Sequence, residues 1–152
     1  MFADEDDPYT GPPLDDDAVR RAEQLLGVRL PGSYVAALRI RNGGRLARRC
    51  YPTPFPTSWA PDHFEVLRLR GIGGAEGIET ESPYLIGEWD YPDIGVVICD
   101  TPSGGHDTVM LDYTGCGPLD EPAVAYIDED RVPRRVAASF GEFLARLQPA
   151  EG

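Results

Sequence analysis

The chain has 152 residues, the length of one ordinary domain, and 41% of them are hydrophobic, which is enough for one core. Its 14 basic residues stand against 26 acidic ones, a net charge of −12 that disfavours unassisted binding to nucleic acid or to an anionic membrane. All 14 basic residues are arginine, which excludes a P-loop lysine and a Schiff-base lysine. We therefore expect a cationic protein partner rather than nucleic acid or membrane.

The cysteines and the first residues bear on the compartment. Cys50, Cys99 and Cys116 are odd in number and form no CxxC pair, which argues against a disulfide framework or a zinc ribbon. The N-terminal stretch lacks the basic and then apolar segments of a secretion signal, and no apolar run reaches the length of a membrane span. These features predict a cytoplasmic protein.

Composition divides the chain into three parts. Residues 1–17 hold seven carboxylates, three prolines and no basic residue, which predicts a flexible acidic arm. The folded domain is expected over residues 18–148, followed by a short tail over 149–152.

Helical spacing of apolar residues predicts three helices. The first covers residues 18–26 and ends at Gly27, a residue suited to a left-handed cap. The second covers residues 32–41. The third begins after Ser139, which forms a capping box with Glu142.

Strand patterns fill the middle of the chain, after a proline-rich loop over residues 51–61 that we expect Trp59 to pin. The predicted strands cover residues 65–70, 94–99, 108–112 and 123–127. Short turns between them favour an antiparallel meander. The predicted fold is a single α+β domain with two N-terminal helices, an antiparallel meander covered on one face, and a C-terminal helix packed on the sheet.

Candidate catalytic groups are few. Residues 71–77 are rich in glycine but place Glu76 where the dinucleotide fingerprint needs its third glycine, so we interpret them as a turn. His63 and His106 are the general-base candidates, and His106 with Asp107 lies at a hairpin mouth where polar turn residues are expected.

Four residues could in principle meet around a metal ion, namely Cys99, His106, Asp107 and Cys116. Their spacing matches no common zinc pattern, and Cys99 lies in an apolar strand. We expect no catalytic site, no metal and no cofactor.

A block of acidic residues around two aromatic ones is the candidate partner-binding site. It consists of Glu76, Glu79, Glu81, Glu88, Trp89, Asp90, Tyr91 and Asp93. One interpretation is a solvated acidic loop, and the other is a contact face for a basic partner, with Trp89, Tyr91 or Trp59 as its anchor. The two aromatic residues of the block could equally belong to the core.

The order of several motifs resembles the SUKH superfamily, which includes the fungal Smi/Knr regulators and bacterial immunity proteins. The motifs are Leu30-Pro31-x-x-Tyr34, Asn42-Gly43-Gly44, Gly71-Ile72-Gly73-Gly74, the meander after Trp89, and Ser139-Phe140-x-x-Phe143-Leu144.

The resemblance implies an α+β fold without a catalytic site. It further implies a bacterial immunity protein that binds and neutralises a polymorphic toxin, such as a nuclease. The alternatives are a regulatory module with an endogenous partner, as in the fungal members, and an enzyme using His106 with Asp107.

Overall fold

The structure, a computed structural model, describes residues 1–3 and 7–149. Residues 4–6 of the predicted arm and residues 150–152 of the predicted tail therefore lie outside the described residues. The described part contains four helices, α1 (Asp16–Leu26), α2 (Gly32–Ile40), α3 (Ile78–Trp89) and α4 (Phe140–Arg146). Its strands are β1 (Gly44–Arg45), β2 (Cys50–Pro52), β3 (His63–Glu65), β4 (Arg68–Leu69), β5 (Gly95–Asp100), β6 (Thr108–Asp112), β7 (Ala123–Ile127) and β8 (Pro133–Ala137).

An antiparallel sheet organises the domain. Its six strands lie in the order β1-β4-β5-β6-β7-β8, and β2 and β3 form a separate two-stranded sheet. The last four strands are a meander in which every neighbouring pair is antiparallel. The predicted α+β single domain is confirmed, and β6 and β7 have the predicted bounds. No helix in the described part of the chain is long and apolar enough to cross a membrane.

Both faces of the sheet are covered, so the expectation that only one face would be covered is wrong. Neighbouring residues of the central strands alternate between two apolar clusters: Val96 of β5 points to the larger one and Val97 to the smaller one. Strands buried on both sides read as nearly continuous apolar runs, as these strands do. Leu85 and Ile86 of α3 pack against the smaller cluster and cover the second face.

The larger cluster joins the sheet to α1, α2 and α4. Phe140 and Phe143 of α4 are buried in it, which confirms that the C-terminal helix packs on the sheet. The small sheet is attached by aromatic contacts: Tyr51 stacks on Phe143 with ring centroids 5.0 Å apart, and Phe64 stacks on Tyr126 at 4.0 Å. Aromatic pairs of this kind contribute about 1 kcal/mol beyond the area they bury.

Local capping signals are realised at both ends of the chain. Gly27 has φ 72°, the left-handed conformation predicted for it, and Ser139 accepts a hydrogen bond from the Glu142 amide at 3.2 Å. Helix α1 starts at Asp16, with Asp15 accepting from the Ala18 amide at 2.8 Å. The boundary expected after residue 17 therefore falls inside α1, while the flexibility of the arm stays a prediction.

Several elements differ from the expectations, and the short strands β1 and β2 were not predicted. The single strand predicted over residues 65–70 is divided between β3 and β4, which belong to different sheets. Strand β8 was missed because it is an edge strand that begins with an exposed proline, Pro133, followed by two exposed arginines. Helix α3 was not predicted, because its polar, glycine-containing sequence was interpreted as a loop, and Pro83 lies inside the helix.

Candidate functional site

Half of the predicted acidic block lies on α3 and the rest directly before or after it, so the packing of this helix decides which of these side chains are accessible. Ile78, Ser82, Leu85 and Trp89 form the inward stripe, with the spacing of one helix face. The Val97 amide donates a 2.9 Å hydrogen bond to Ser82 Oγ. Helix α3 therefore supplies a hydrogen-bond acceptor to a residue of β5 that the short strand β4 does not reach.

Two of the predicted glutamates bond within the domain. Glu76 accepts from Arg68 Nη1 at 3.1 Å, and Arg68 also holds Asp100 through Nε at 2.5 Å. Both carboxylate oxygens of Glu79 accept from the Gly73 amide, at 3.0 and 3.1 Å. These two carboxylates hold the glycine-rich turn in place before α3.

The two aromatic residues of the block pack on the second face of the sheet. Tyr91 is only 5% exposed, and its hydroxyl donates to the Gly105 carbonyl at 2.5 Å. Burial raises its pKa to about 12. Trp89 is partly buried and meets the exposed His106 ring edge-on at 5.9 Å. For Tyr91 the core interpretation is therefore the one that its surroundings fit.

Arg131 contacts the same group of residues, namely Tyr91, Trp89 and His106. Its guanidinium lies 4.8 Å from the centroid of the Tyr91 ring, and its Nε donates to the Trp89 carbonyl at 3.0 Å. Its Nη1 donates to the His106 carbonyl at 2.7 Å. One arginine thus ties the end of α3 to the loop between β5 and β6.

The remaining four acids have no arginine partner among residues 1–3 and 7–149. Glu88, Asp90 and Asp93 are exposed and Glu81 is half-buried, and none of them forms an ion pair in that part of the chain. Asp90 ends α3 in the left-handed conformation with φ 57°.

Tyr84 lies among these acids and was missed by sequence reasoning. It is 60% exposed, three residues after Glu81 and four before Glu88, so the three side chains share one face of the helix. The spacing of the inward stripe of α3 would have revealed it, because Tyr84 does not lie on that stripe and therefore faces solvent. We call Glu81, Tyr84, Glu88, Asp90 and Asp93 together the acidic surface.

Asp107 is a buried structural acceptor, and the exposed His106 beside it does not share its contacts. Asp107 is 1% exposed and accepts from Trp59 Nε1 at 2.6 Å and from Ser103 Oγ at 2.5 Å. Hydroxyl groups of Tyr126 and Thr101 donate to the same carboxyl group. The expected role of Trp59 in pinning the proline-rich loop is realised through this contact.

The groups considered for a metal site lie in different environments. Cys99 is fully buried in β5, and burial raises the pKa of its thiol. Cys116 lies in the connection between β6 and β7. Across residues 1–3 and 7–149, no group of three or more His, Cys, Asp or Glu side chains is arranged to hold a metal ion.

The glycine motifs pack against one another. Asn42 Nδ2 donates to the Ile72 carbonyl at 2.7 Å, and Asn42 Oδ1 accepts from the Ile72 amide at 2.8 Å. A Cβ on Gly71 would lie 2.4 Å from the Asn42 carbonyl oxygen, which is too close for any other residue. Tyr34 donates to the Arg70 carbonyl at 2.6 Å. These motifs therefore have a packing role.

Comparison with known proteins bears out the resemblance. The family model of the SMI1 / KNR4 family (SUKH-1) matches residues 13–146, which cover all four helices and all eight strands of the described chain. No curated protein and no solved structure gives a significant match. The matched range includes the acidic surface and leaves out residues 1–12 of the predicted N-terminal arm.

Proposed function

The chain belongs to the SMI1/KNR4 family (SUKH-1), and from that premise we propose that it is an immunity protein that binds and neutralises a cognate toxin. The toxin is a basic domain, such as a nuclease, which acts in the cytoplasm where the immunity protein meets it. The acidic surface on α3 covers the active site or substrate groove of the toxin. The protein acts by binding and carries out no reaction.

The observation that carries this proposal is the cluster of unpaired carboxylates around one exposed aromatic ring. A nuclease needs positive charge to hold phosphates, so an acidic surface attracts it and competes with its substrate. Charges at the rim of an interface raise the association rate but add little affinity once salt screens them. A desolvated anchor supplies the affinity, and Tyr84 is exposed and of a residue type enriched at such positions.

The surroundings of the catalytic candidates support a role in binding. The Asp107 carboxyl group is surrounded by four donors of the protein itself, and its orientation is fixed by the core. The His106 side chain is exposed and contacts the Trp89 ring. A general acid–base pair would need its two groups within hydrogen-bond reach of one substrate position.

The test uses the C-terminal domain encoded by the adjacent gene, at low and at high salt, with calorimetry for the affinity and stopped-flow fluorescence for the rates. We expect nanomolar affinity that weakens as salt rises. The neutralising variant Glu88→Gln/Asp90→Asn/Asp93→Asn should associate about tenfold more slowly, because electrostatic steering acts on the association rate. Tyr84→Ala should weaken the affinity by about thirtyfold, mainly through faster dissociation.

A matched variant controls for the change in total charge. Asp62→Asn/Glu121→Gln/Glu129→Gln removes three exposed carboxylates outside the acidic surface and should leave both rates near those of the wild type. Equal effects of the two triple variants would show that only net charge matters. If the folded protein does not bind the toxin domain at all, the regulatory module with an endogenous partner takes the place of the immunity role.

A further inference from the structure

A basic strip interrupts this acidic protein next to the N-terminal segment. It consists of Arg41, Arg45, Arg48 and Arg49, four arginines within nine positions that contain no acid. None of the four forms an ion pair with a carboxylate that the structure describes. Nη1 of Arg41 is shielded from solvent and has no hydrogen-bond partner there. We call these residues the arginine strip.

The first three residues of the chain pair with the backbone of residues 45–47, which lies along the arginine strip. Phe2 forms an antiparallel bridge with Leu46, the Ala3 amide donates to the Arg45 carbonyl at 2.9 Å, and the Ala47 amide donates to the Met1 carbonyl at 2.7 Å. Strand β1 pairs with β4 on its other side, so this is the outer edge of the six-stranded sheet. Sheet edges accept extended peptides through such main-chain hydrogen bonds.

Residues 7–12 continue along the same surface through charge and aromatic contacts. The Asp7 carboxylate accepts from the Arg45 amide at 2.6 Å. Burial would raise the pKa of Asp7, but the amide hydrogen bonds from Arg45 and Tyr9, together with the charges of Arg45 and Arg41, outweigh burial and lower that pKa below its usual value. The Tyr9 ring lies 4.2 Å from the guanidinium carbon of Arg68, and Gly11 donates to the Asn42 carbonyl at 2.8 Å.

Residues 7–12 are held by hydrogen bonds and by contacts between aromatic rings and arginines, and they are not packed into the core. Pro8, Thr10 and Pro12 are exposed, and none of residues 7–12 belongs to the buried core. A cavity of about 610 Å³ lies between the segment, Arg68 and the glycine turn. Release of residues 7–12 would lose few apolar contacts, and Phe2 is the residue of the bound N-terminal segment that packs against the larger cluster. Another chain with an apolar residue at the position of Phe2 could therefore replace the segment at low cost.

We propose that the arginine strip and the outer edge of β1 form a docking site for an extended acidic segment of a partner protein. Residues 1–3 and 7–12 of the chain itself occupy this site in the isolated protein. They show what the site accepts: paired backbone, a carboxylate at the Arg45 amide, and an aromatic ring on Arg68. The site shares no residue with the acidic surface on α3. It would bind a partner of opposite charge, so it does not depend on the proposed immunity role.

The experiment uses fluorescence anisotropy with a labelled synthetic peptide of residues 1–12 as the probe. The full-length variant Asp7→Asn/Tyr9→Ala removes the side-chain anchors of the segment, both from half-buried positions. It should bind the peptide about tenfold more tightly than the wild type, because a tethered competitor acts at an effective concentration near the millimolar range. Equal binding by the two proteins, or binding by neither, would overturn the proposal.

Two further variants, built on this loosened chain, locate the site. Arg41→Gln/Arg45→Gln should abolish the gain, whereas Arg20→Gln/Arg21→Gln removes the same charge from exposed positions of α1 and should retain it. A peptide with its acids changed to amides should bind at least tenfold more weakly. If a single-stranded oligonucleotide of equal charge binds the loosened chain and the peptide does not, the site serves nucleic acid and the proposal fails.

The wild-type protein gives an independent answer by NMR. At millimolar peptide, amide shifts should be confined to residues 41–47, to Arg68 and the glycine turn over residues 71–76, and to the displaced N-terminal segment. Shifts spread over α3 instead, or their absence, would contradict a docking site on the arginine strip. Circular dichroism of every variant confirms that it has kept the fold before its affinity is compared.

Discussion

Removing the Asp107 carboxyl group should destabilise the fold while leaving the acidic surface unchanged. Asp107 accepts four hydrogen bonds, and two of the donors, Tyr126 and Thr101, belong to buried residues. Burial and the bond to Asp107 together raise the pKa of Tyr126, as expected for a hydroxyl group that donates to a carboxylate. In the variant Asp107→Ala this buried hydroxyl loses its acceptor.

The magnitude follows from these contacts. A hydrogen bond to a charged group contributes about 2 kcal/mol, and a buried donor without an acceptor costs a further 1 to 3 kcal/mol or so. Thr101 and Ser103 can still bond to each other at 2.8 Å, and Trp59 is partly exposed, so these donors lose less. We expect Asp107→Ala to lower the free energy of unfolding by about 4 kcal/mol.

Urea denaturation followed by tryptophan fluorescence and far-ultraviolet circular dichroism measures this loss. Asp120→Ala is the matched control, because its exposed carboxylate accepts a single amide bond from Gly117 at 2.8 Å, and it should cost at most about 1 kcal/mol. The double variant Asp107→Ala/Tyr126→Phe removes the stranded hydroxyl and should be about 2 kcal/mol more stable than additivity predicts. A loss below 1 kcal/mol for Asp107→Ala, or strict additivity, would refute the reasoning.

Two further predictions concern the glycine motifs and the second face of the sheet. Asn42→Ala should lower the free energy of unfolding by about 3 kcal/mol in urea, since it removes three hydrogen bonds from a buried site, and Asn42→Asp should not rescue it because a carboxylate would face two carbonyls. The pKa of Tyr91 is raised to about 12, so its contribution to stability is complete below pH 10 and is lost between pH 10 and 12. Tyr91→Phe should therefore lose about 3 kcal/mol less over that interval in denaturation at alkaline pH, and an unchanged decline would show that Tyr91 ionises freely in the folded state.

The elements predicted correctly are those with short-range signals. Strands β6 and β7 lie between clear turns and are largely apolar, and Gly27 and Ser139 mark helix ends by their own conformations and side chains. Such signals require no knowledge of the rest of the chain. The order of the family motifs added the arrangement of helices and sheet that no single element specifies.

The elements missed depend on tertiary contacts. Helix α3 carries an internal proline and a polar Ser82 on its inward stripe, and Ser82 is buried only because the Val97 amide bonds to it. Because α3 was not predicted as a helix, the buried and exposed residues of the candidate site could not be told apart. Once the acidic block is helical, Tyr91 falls in the core and Tyr84 faces solvent, a division that a loop interpretation cannot make.

Opposite surface charges can serve two partners on one small domain because salt limits their range. The net charge of −12 sets the field far from the protein, so a basic domain is attracted from any direction at low salt. At physiological ionic strength the screening length is about 8 Å, and within that distance a partner responds to the nearest patch. At this range the arginine strip attracts an acidic segment, just as the acidic surface on α3 attracts a basic domain. Residues 1–3 and 7–12 lie along this strip, where the Asp7 carboxylate accepts from the Arg45 amide, so a competing segment has to displace these contacts before it can bind there.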